Sequence, residues 1–474
     1  MNILPVNPAD NPTPGALRAF LALCAENARV TGQTQLASIS MAVESLDPLA
    51  VLESIFEGGE KHFYAERPAH GFAVAGAEAV LEFVASGPER FSQARTWIEK
   101  VLAATIAVGS VDEPFGGPHF FLAASFAPGE VAGRAFPALR VFVPRWQVSR
   151  QGDGSVAVAN IPVAAGAPID LIAEKVWKAH EKFRSFDYSA ARRQDRPPAP
   201  RTVIEVGGAD WYRRAVAEAL GEIARGDYEK VVLSRAQRLE SEGEFHPLGV
   251  LNHLRRRFPE CYAFSIGSGA GPSFIGASPE RLIRVAGGRM HTEALAGSAP
   301  RGRSASEDAR LARALLQDDK ERREHQLVID ALGARLADLG VTLEYTSPPR
   351  LLGLANVQHL HTPVSASLPA GVHLLDLVAR LHPTPAVGGT PRDAAVAAIA
   401  RMEPFDRGLF AGPLGWVDHR GGGEVFVGLR SALIDGRSAT AYAGAGIVAG
   451  SEPEKEFAET ELKFQALIEG LTDT

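Results

Sequence analysis

Glu456, Glu459 and Lys463 stand at i, i+3 and i+7 in segment 451–463, so a helix there carries two carboxylates and an ammonium on one face. Oxygen donors of that kind suit a hard cation such as Mg²⁺. Glu321 and Glu324 repeat the i, i+3 spacing within 303–339, a stretch helical in composition with a single glycine. One such pair alone reads as a solvated helix face. Two pairs on separate helices can clamp one divalent ion between them.

Three more residues carry reactive or binding chemistry. Lys230 opens the apolar run KVVLSRA, Glu280 follows Ser278-Pro279, and Arg430 lies in EVFVGLRSALID. Strand alternation there would put Arg430 on one face with Phe426 and Gly428, a setting for clamping a carboxylate. Taken singly, these three read as a strand-edge lysine, a glutamate after a turn proline and a surface arginine.

The elements that position them can be read from period and punctuation. Residues 442–450, YAGAGIVAG, suit a strand whose glycines let backbone approach a ligand closely. Ser451 then caps a helix, Glu454 completes a capping box, and Pro453 is tolerated in the first turn. Backbone amides and carboxylates thus meet at one strand-to-helix junction.

Upstream, 37–44, 61–68, 71–76, 119–126 and 138–163 read as strands, the last a pair closed at Gly152-Asp153-Gly154. Segments 88–107 and 166–185 have helical periodicity. The Pro- and Arg-rich 189–201 reads as an exposed connection, dividing an N-terminal scaffold region, 1–200, from a catalytic region, 201–474. In the second region a helix over 210–225 leads to the Lys230 strand. A hairpin turns at Gly287-Gly288, 303–339 reads as one helix, and the last sheet reads as a meander over 408–450.

Composition bounds the class. The chain has 474 residues, 46% of them hydrophobic, enough for a sizeable core. A formal charge of −7 argues against a nucleic-acid or anionic-membrane partner. No run approaches the length of a membrane-spanning helix, and the N-terminus lacks a signal-peptide pattern. Cys24 and Cys261 lie far apart without metal-type spacing, so a reduced, cytoplasmic protein is expected.

Several segments together resemble the chorismate-utilising enzymes, a family that includes anthranilate synthase component I, and among them the isochorismate synthases. They are KVVLSRA (230–236), FIGASPERLIRV (274–285), TEALAGSAPRG (292–302), DKERREHQLV (319–328), VQHL (357–360), LHPTPAVGG (381–389), FAGPLGW (410–416), VGLRSAL (427–433) and YAGAGIVAGSEPEKEFAETELK (442–463). The resemblance covers about 205–465 in unbroken order. It implies an α+β fold of two packed, largely antiparallel sheets flanked by helices, with the active site between them.

It also implies roles. Lys230 would be the general base that activates water for attack at C2 of chorismate, and Glu280 the general acid that protonates the departing C4 hydroxyl. Mg²⁺ would be held by Glu324 and Glu459, with Glu321 and Glu456 reaching it partly through water, and would bind the ring carboxylate. Gly297, Ser298 and the amides of Gly444, Ala445 and Gly446 would complete that carboxylate site. Arg430 would hold the enolpyruvyl carboxylate, and His359 and Lys463 match further active-site positions. Such an enzyme works as a monomer or weak dimer on a small molecule, and its product feeds menaquinone or siderophore synthesis.

Rival readings differ at particular residues. Ala296 stands where aminodeoxychorismate-forming members carry a nucleophilic lysine, and Ser298 replaces a common threonine while keeping the hydroxyl. Anthranilate synthases differ around HPTPAVGG and need an ammonia-supplying glutaminase, which is not expected here. Salicylate synthases share Lys230, Glu280 and both glutamate pairs but go on to expel pyruvate. A Mg²⁺-dependent phosphoryl-transfer enzyme is the reading from another class; the sequence has no GxxxxGK[ST] loop to support it.

Overall fold

The computed structural model describes residues 1–4, 13–55, 59–184, 200–353 and 357–472. Two long strands, Phe72–Ala85 and Leu139–Gln151, set the architecture, because each runs through two sheets. Their ladder is interrupted between Ala79 and Leu81, beside Glu78 at φ 58°. A bulge of this kind bends a strand pair and lets it change sheets.

On one side of the bend the sheet continues from Phe72–Ala85 through His62–Arg67, Tyr262–Gly267, Ser273–Ser278, Ser431–Asp435, Ser438–Val448 and Lys230–Ser241 to Pro200–Glu205. On the other, Leu139–Gln151 leads through His119–Ala124, Pro413–Asp418, Gly423–Val427, Arg281–Ala286 and Arg289–Pro300 to Val357–Ser367. Pairing is antiparallel throughout these ladders; Thr105–Gly109 runs parallel to Gln35–Val43 and Asn2–Ile3. Between the sheets lies an aromatic core in which Phe63 stacks on Phe121 at 4.6 Å and Tyr262 on Phe426 at 4.7 Å. This is the two-sheet α+β arrangement expected.

Residues on either side of the connection at 189–201 share both sheets, through His62–Arg67 against Tyr262–Gly267 and His119–Ala124 against Pro413–Asp418. Most of that connection lies outside the described residues.

Four local expectations need correction. The helix at 88–107 ends at Ala103, where Thr105–Gly109 begins pairing as a strand. The helix expected over 303–339 is two, Ala305–Gln317 and Asp319–Leu336, followed by a short 3₁₀ turn. Asp318 leaves the helical region at ψ 113° and its Oδ1 accepts from the Glu321 amide at 3.2 Å, so the break doubles as a cap.

EVFVGLRSALID is likewise two strands, Gly423–Val427 and Ser431–Asp435, which belong to different sheets. The chain turns at Arg430, φ 45°, so there is no simple meander and no shared strand face for Phe426, Gly428 and Arg430. Ser451, finally, is not half of a capping box. Its hydroxyl accepts from the Val448 amide at 3.2 Å and bonds the Glu456 carboxyl, while Glu454 pairs with Arg213.

Buried histidines make the fold acid-sensitive. His62 and His382 are held neutral by burial, their pKa values lowered to about 4 and about 3. An unfolded histidine titrates near 6.5, so below that pH the unfolded chain binds more protons than the folded one. Stability is therefore full above about pH 6.5 and falls as pH drops toward 4, by on the order of 3 kcal/mol per histidine. Thermal melts from pH 7.5 to 4.5 are expected to show a steadily falling midpoint, less so in His62→Gln; a flat profile would contradict the burial argument.

Candidate active site

The site is built on the antiparallel pair Lys230–Ser241 and Ser438–Val448, in which Lys230 faces Val448 and Val232 faces Gly446. The lysine stem lies across Gly446, where an added Cβ would sit 3.0 Å from its Cε and 3.5 Å from its Nζ. Any larger residue would push the amine aside. Beyond Tyr442 the strand pairs only with the Lys230 strand, leaving one backbone edge at Gly444, Ala445 and Gly446 outside the ladder. On it the Gly444 carbonyl accepts from Lys463 Nζ at 2.7 Å.

On its other side Lys230 pairs with Thr390, and Val231 with Gly389, at the end of the HPTPAVGG stretch. A buried ion pair holds this corner from behind. Arg407 bonds Glu403 through Nε at 2.8 Å and donates to the carbonyls of Val232 and Val387 at 2.7 and 2.9 Å. Glu403 accepts from the Ser234 amide at 2.8 Å. Buried charges are tolerated only when paired and hydrogen-bonded, and here the contacts to Val232 and Ser234 fix the Lys230 strand while that to Val387 holds the neighbouring loop.

Burial lowers the Lys230 pKa, opposed by the nearby charges of Glu324, Glu280 and Glu459 and reinforced by Lys463. The amine thus senses one carboxylate of each helical pair together with Glu280. Glu280 sits where Ser273–Ser278 ends and Arg281–Ala286 begins; its amide donates to Ser278 Oγ at 3.2 Å and its carbonyl accepts from the Val427 amide at 3.0 Å. Its carboxyl is pushed up to about 7 by burial and by the charge of Glu293, against a 3.4 Å hydrogen bond from Thr384 and the charge of Lys230.

Burial works to raise Glu293 as well, but a 2.8 Å contact with His361 Nε2 and the charge of Arg281 hold it below the usual range. Glu280 therefore faces a persistent negative neighbour. Neither Thr384 nor the Glu293–His361 pair was singled out by the sequence. Glu293 and His361 come together only through the pairing of Arg289–Pro300 with Val357–Ser367.

Gly297 lies at a bulge in that pairing, with φ 78°. The Ser298 amide donates to Glu321 Oε2 at 3.2 Å, and a Cβ on Gly297 would stand 3.2 Å from the same oxygen. Ser298 Oγ and His359 Nδ1 are 2.8 Å apart. Burial lowers the His359 pKa, with Arg430 and Lys463 acting in the same direction and the backbone at Gly297 and the charge of Glu459 opposing it.

Arg430 itself reaches Cys261 Sγ at 3.9 Å, and its carbonyl accepts from the Ala277 amide at 3.1 Å. A left-handed arginine is a costly backbone choice, and such strain collects at functional sites. On helix Pro453–Thr472, Lys463 Nζ pairs with Glu459 Oε1 at 2.8 Å, and Glu456 is raised by burial and by Glu459.

The carboxylates do not close into a cage by themselves: among the described residues no three His, Cys, Asp or Glu side chains form a metal-binding group. Lys463 engages Glu459, and the Ser298 amide engages Glu321. The donor set nonetheless fits a hard divalent cation. It is all carboxylate oxygen, and the charge of Glu459, which adds to burial in raising Glu456, is of the kind such a cation offsets.

The chain matches the family model described as chorismate binding enzyme over residues 22–472. It is 34% identical over 461 residues to the salicylate biosynthesis isochorismate synthase of Pseudomonas aeruginosa, covering 96% of this chain and 94% of that one. It is 32% identical over 457 residues to isochorismate synthase MenF of Bacillus subtilis, covering 94% and 95%. Among solved structures it superposes on MenF, the menaquinone-specific isochorismate synthase from Escherichia coli, with a TM-score of 0.78 and 26% identity over 95% of this chain and 99% of that one. Anthranilate synthase component I from Streptococcus pneumoniae shares the fold, with a TM-score of 0.70 at 20% identity over 84% of this chain and 92% of that one. Family model, relatives and fold all lead to the same place: the chain belongs to the chorismate binding enzymes.

Proposed function

We propose that the protein is an isochorismate synthase, converting chorismate to isochorismate by adding water at C2 and releasing the C4 hydroxyl. The observation that carries this reading is the opposed tuning of two groups that feel each other's charge: a lysine amine lowered by burial and a glutamic acid raised to about 7. An amine whose charged form is disfavoured by burial is suited to take a proton from water, and a carboxyl raised to about 7 can give one.

The step balances. Lys230 removes a proton from water as its oxygen bonds to C2, the ring double bonds shift, and the C4–O bond breaks. Glu280 supplies the proton with which that hydroxyl leaves as water. The ammonium and the carboxylate then exchange protons with solvent and the net change is an isomerisation. Arg430 would hold the enolpyruvyl carboxylate, and the Ser298 amide, His359, Lys463 and the backbone edge outside the ladder at Gly444, Ala445 and Gly446 would line the ring carboxylate. Mg²⁺, held by Glu324 and Glu459 with Glu321 and Glu456 partly through water, would supply the positive charge for that carboxylate. Ala296 offers no nucleophile, so the substrate stays free of covalent attachment there.

Among the described residues no helix is long and apolar enough to cross a membrane, in keeping with a small-molecule enzyme of the cytoplasm. Incubation with chorismate, with Mg²⁺ and after chelation, tests the reading. Isochorismate is expected only with the cation. Untouched chorismate under both conditions would leave a phosphoryl-transfer enzyme or a metal-binding scaffold instead.

A further inference from the structure

The helix that carries Glu456 and Glu459 is gripped on its adjacent face by two arginines from other elements. Phe457 lies between them: the Arg213 guanidinium carbon is 3.8 Å from its ring centroid, and that of Arg235 is also 3.8 Å away. Arg235 comes from the Lys230 strand and is 1% exposed. It bonds Glu205 through two nitrogens at 2.8 and 2.6 Å, Thr460 Oγ1 at 2.8 Å and Glu461 at 2.6 Å. Arg213, from helix Trp211–Arg225, also pairs with Glu454 at 2.7 Å.

At about 100° per residue, Phe457, Thr460, Glu461 and Phe464 form one helix face, and Glu456, Glu459 and Lys463 form the next, about a third of a turn round. We infer that Arg235 and Arg213 are positioning residues: by clamping Phe457 they fix the rotation of helix Pro453–Thr472 and so aim Glu456 and Glu459 at a divalent cation. A rotation of about 20° would carry a carboxylate about 6 Å from the helix axis through about 2 Å, the length of a metal–oxygen bond. Phe464, Leu467 and Leu471 pack the later turns of the helix into the core, whereas the turn that carries Glu456 and Glu459 is held at Phe457. Guanidinium planes on both faces of one ring, one of them bonded to the next turn of the same helix, fix the rotation of that turn.

This inference rests on the proposed metal site, so its test reads metal binding directly. Mg²⁺ is titrated calorimetrically into chelator-stripped protein without chorismate, and turnover is followed separately against Mg²⁺ concentration. Phe457→Leu, which keeps apolar volume but loses the ring, is expected to weaken Mg²⁺ about 10-fold. Its turnover at saturating Mg²⁺ should stay within about twofold of the parent. Phe457→Tyr restores the ring and should bind like the parent, and Arg213→Gln, at the solvent side of the clamp, should fall between them. Unchanged Mg²⁺ affinity in folded Phe457→Leu, or lost turnover at saturating cation with affinity intact, would overturn the clamp, as would absence of Mg²⁺ binding by the parent. A parent that binds Mg²⁺ but leaves chorismate untouched would refute the proposed function while the calorimetric series still decides the clamp.

Discussion

Lys230→Ala is expected to lower the turnover of chorismate by at least about 10²-fold, the usual scale for a lost general base, with little change in KM. The lysine is half-buried with acidic neighbours, and its stem crosses Gly446 so closely that a Cβ there would stand 3.0 Å from its Cε. No backbone or packing feature requires an ammonium there, since the strand is fixed by its ladder and by Arg407 and Glu403. Removing it also removes an amine that burial makes harder to protonate than in the unfolded chain, a difference that costs stability at neutral pH. Activity should therefore collapse while the thermal midpoint holds or rises, a combination that a structural lysine would not give. A variant that keeps turnover would take the base away from Lys230.

Glu280→Gln is the second large effect, again at least about 10²-fold in turnover. The amide keeps the shape and can still meet Thr384, but it has no acidic proton to give. Because the carboxyl titrates near 7, the parent should lose activity tenfold per unit of pH above that value, and the variant's residual activity should lack this alkaline limb. Stability moves the other way. A carboxyl whose pKa is raised in the folded state binds more protons there than when unfolded, so it destabilises as pH rises from about 4.3 through 7. Glu280→Gln should accordingly melt higher than the parent at pH 8 and alike at pH 4. An unchanged pH profile with unaltered turnover would show that another group protonates the leaving hydroxyl.

Patterns of short period were legible in the sequence: the paired glutamates on helices, the turn glycines at 287 and 288, and the apolar run after Lys230. Each depends on residues a few positions apart. What escaped depends on partners far along the chain. The strand through Arg430 read as continuous because alternation persists across it; only its pairing with two different sheets breaks it. Asp318 looked like one more polar helix residue, and its capping of the second helix emerges from the break itself. Arg235 and Arg407 drew no notice in the sequence, yet both are buried and hold the elements that carry Lys230, Glu456 and Glu459. Glu293 was visible as a glutamate on a hairpin arm, but its influence on Glu280 needs His361 and Arg281 brought alongside.

The most direct test of the central claim is analysis of the product formed from chorismate and Mg²⁺ in ¹⁸O-labelled water. Attack by solvent at C2, with the C4 oxygen expelled, predicts isochorismate carrying a single heavy oxygen on the ring hydroxyl and no pyruvate. Unlabelled isochorismate, or salicylate with an equal amount of pyruvate, would contradict it.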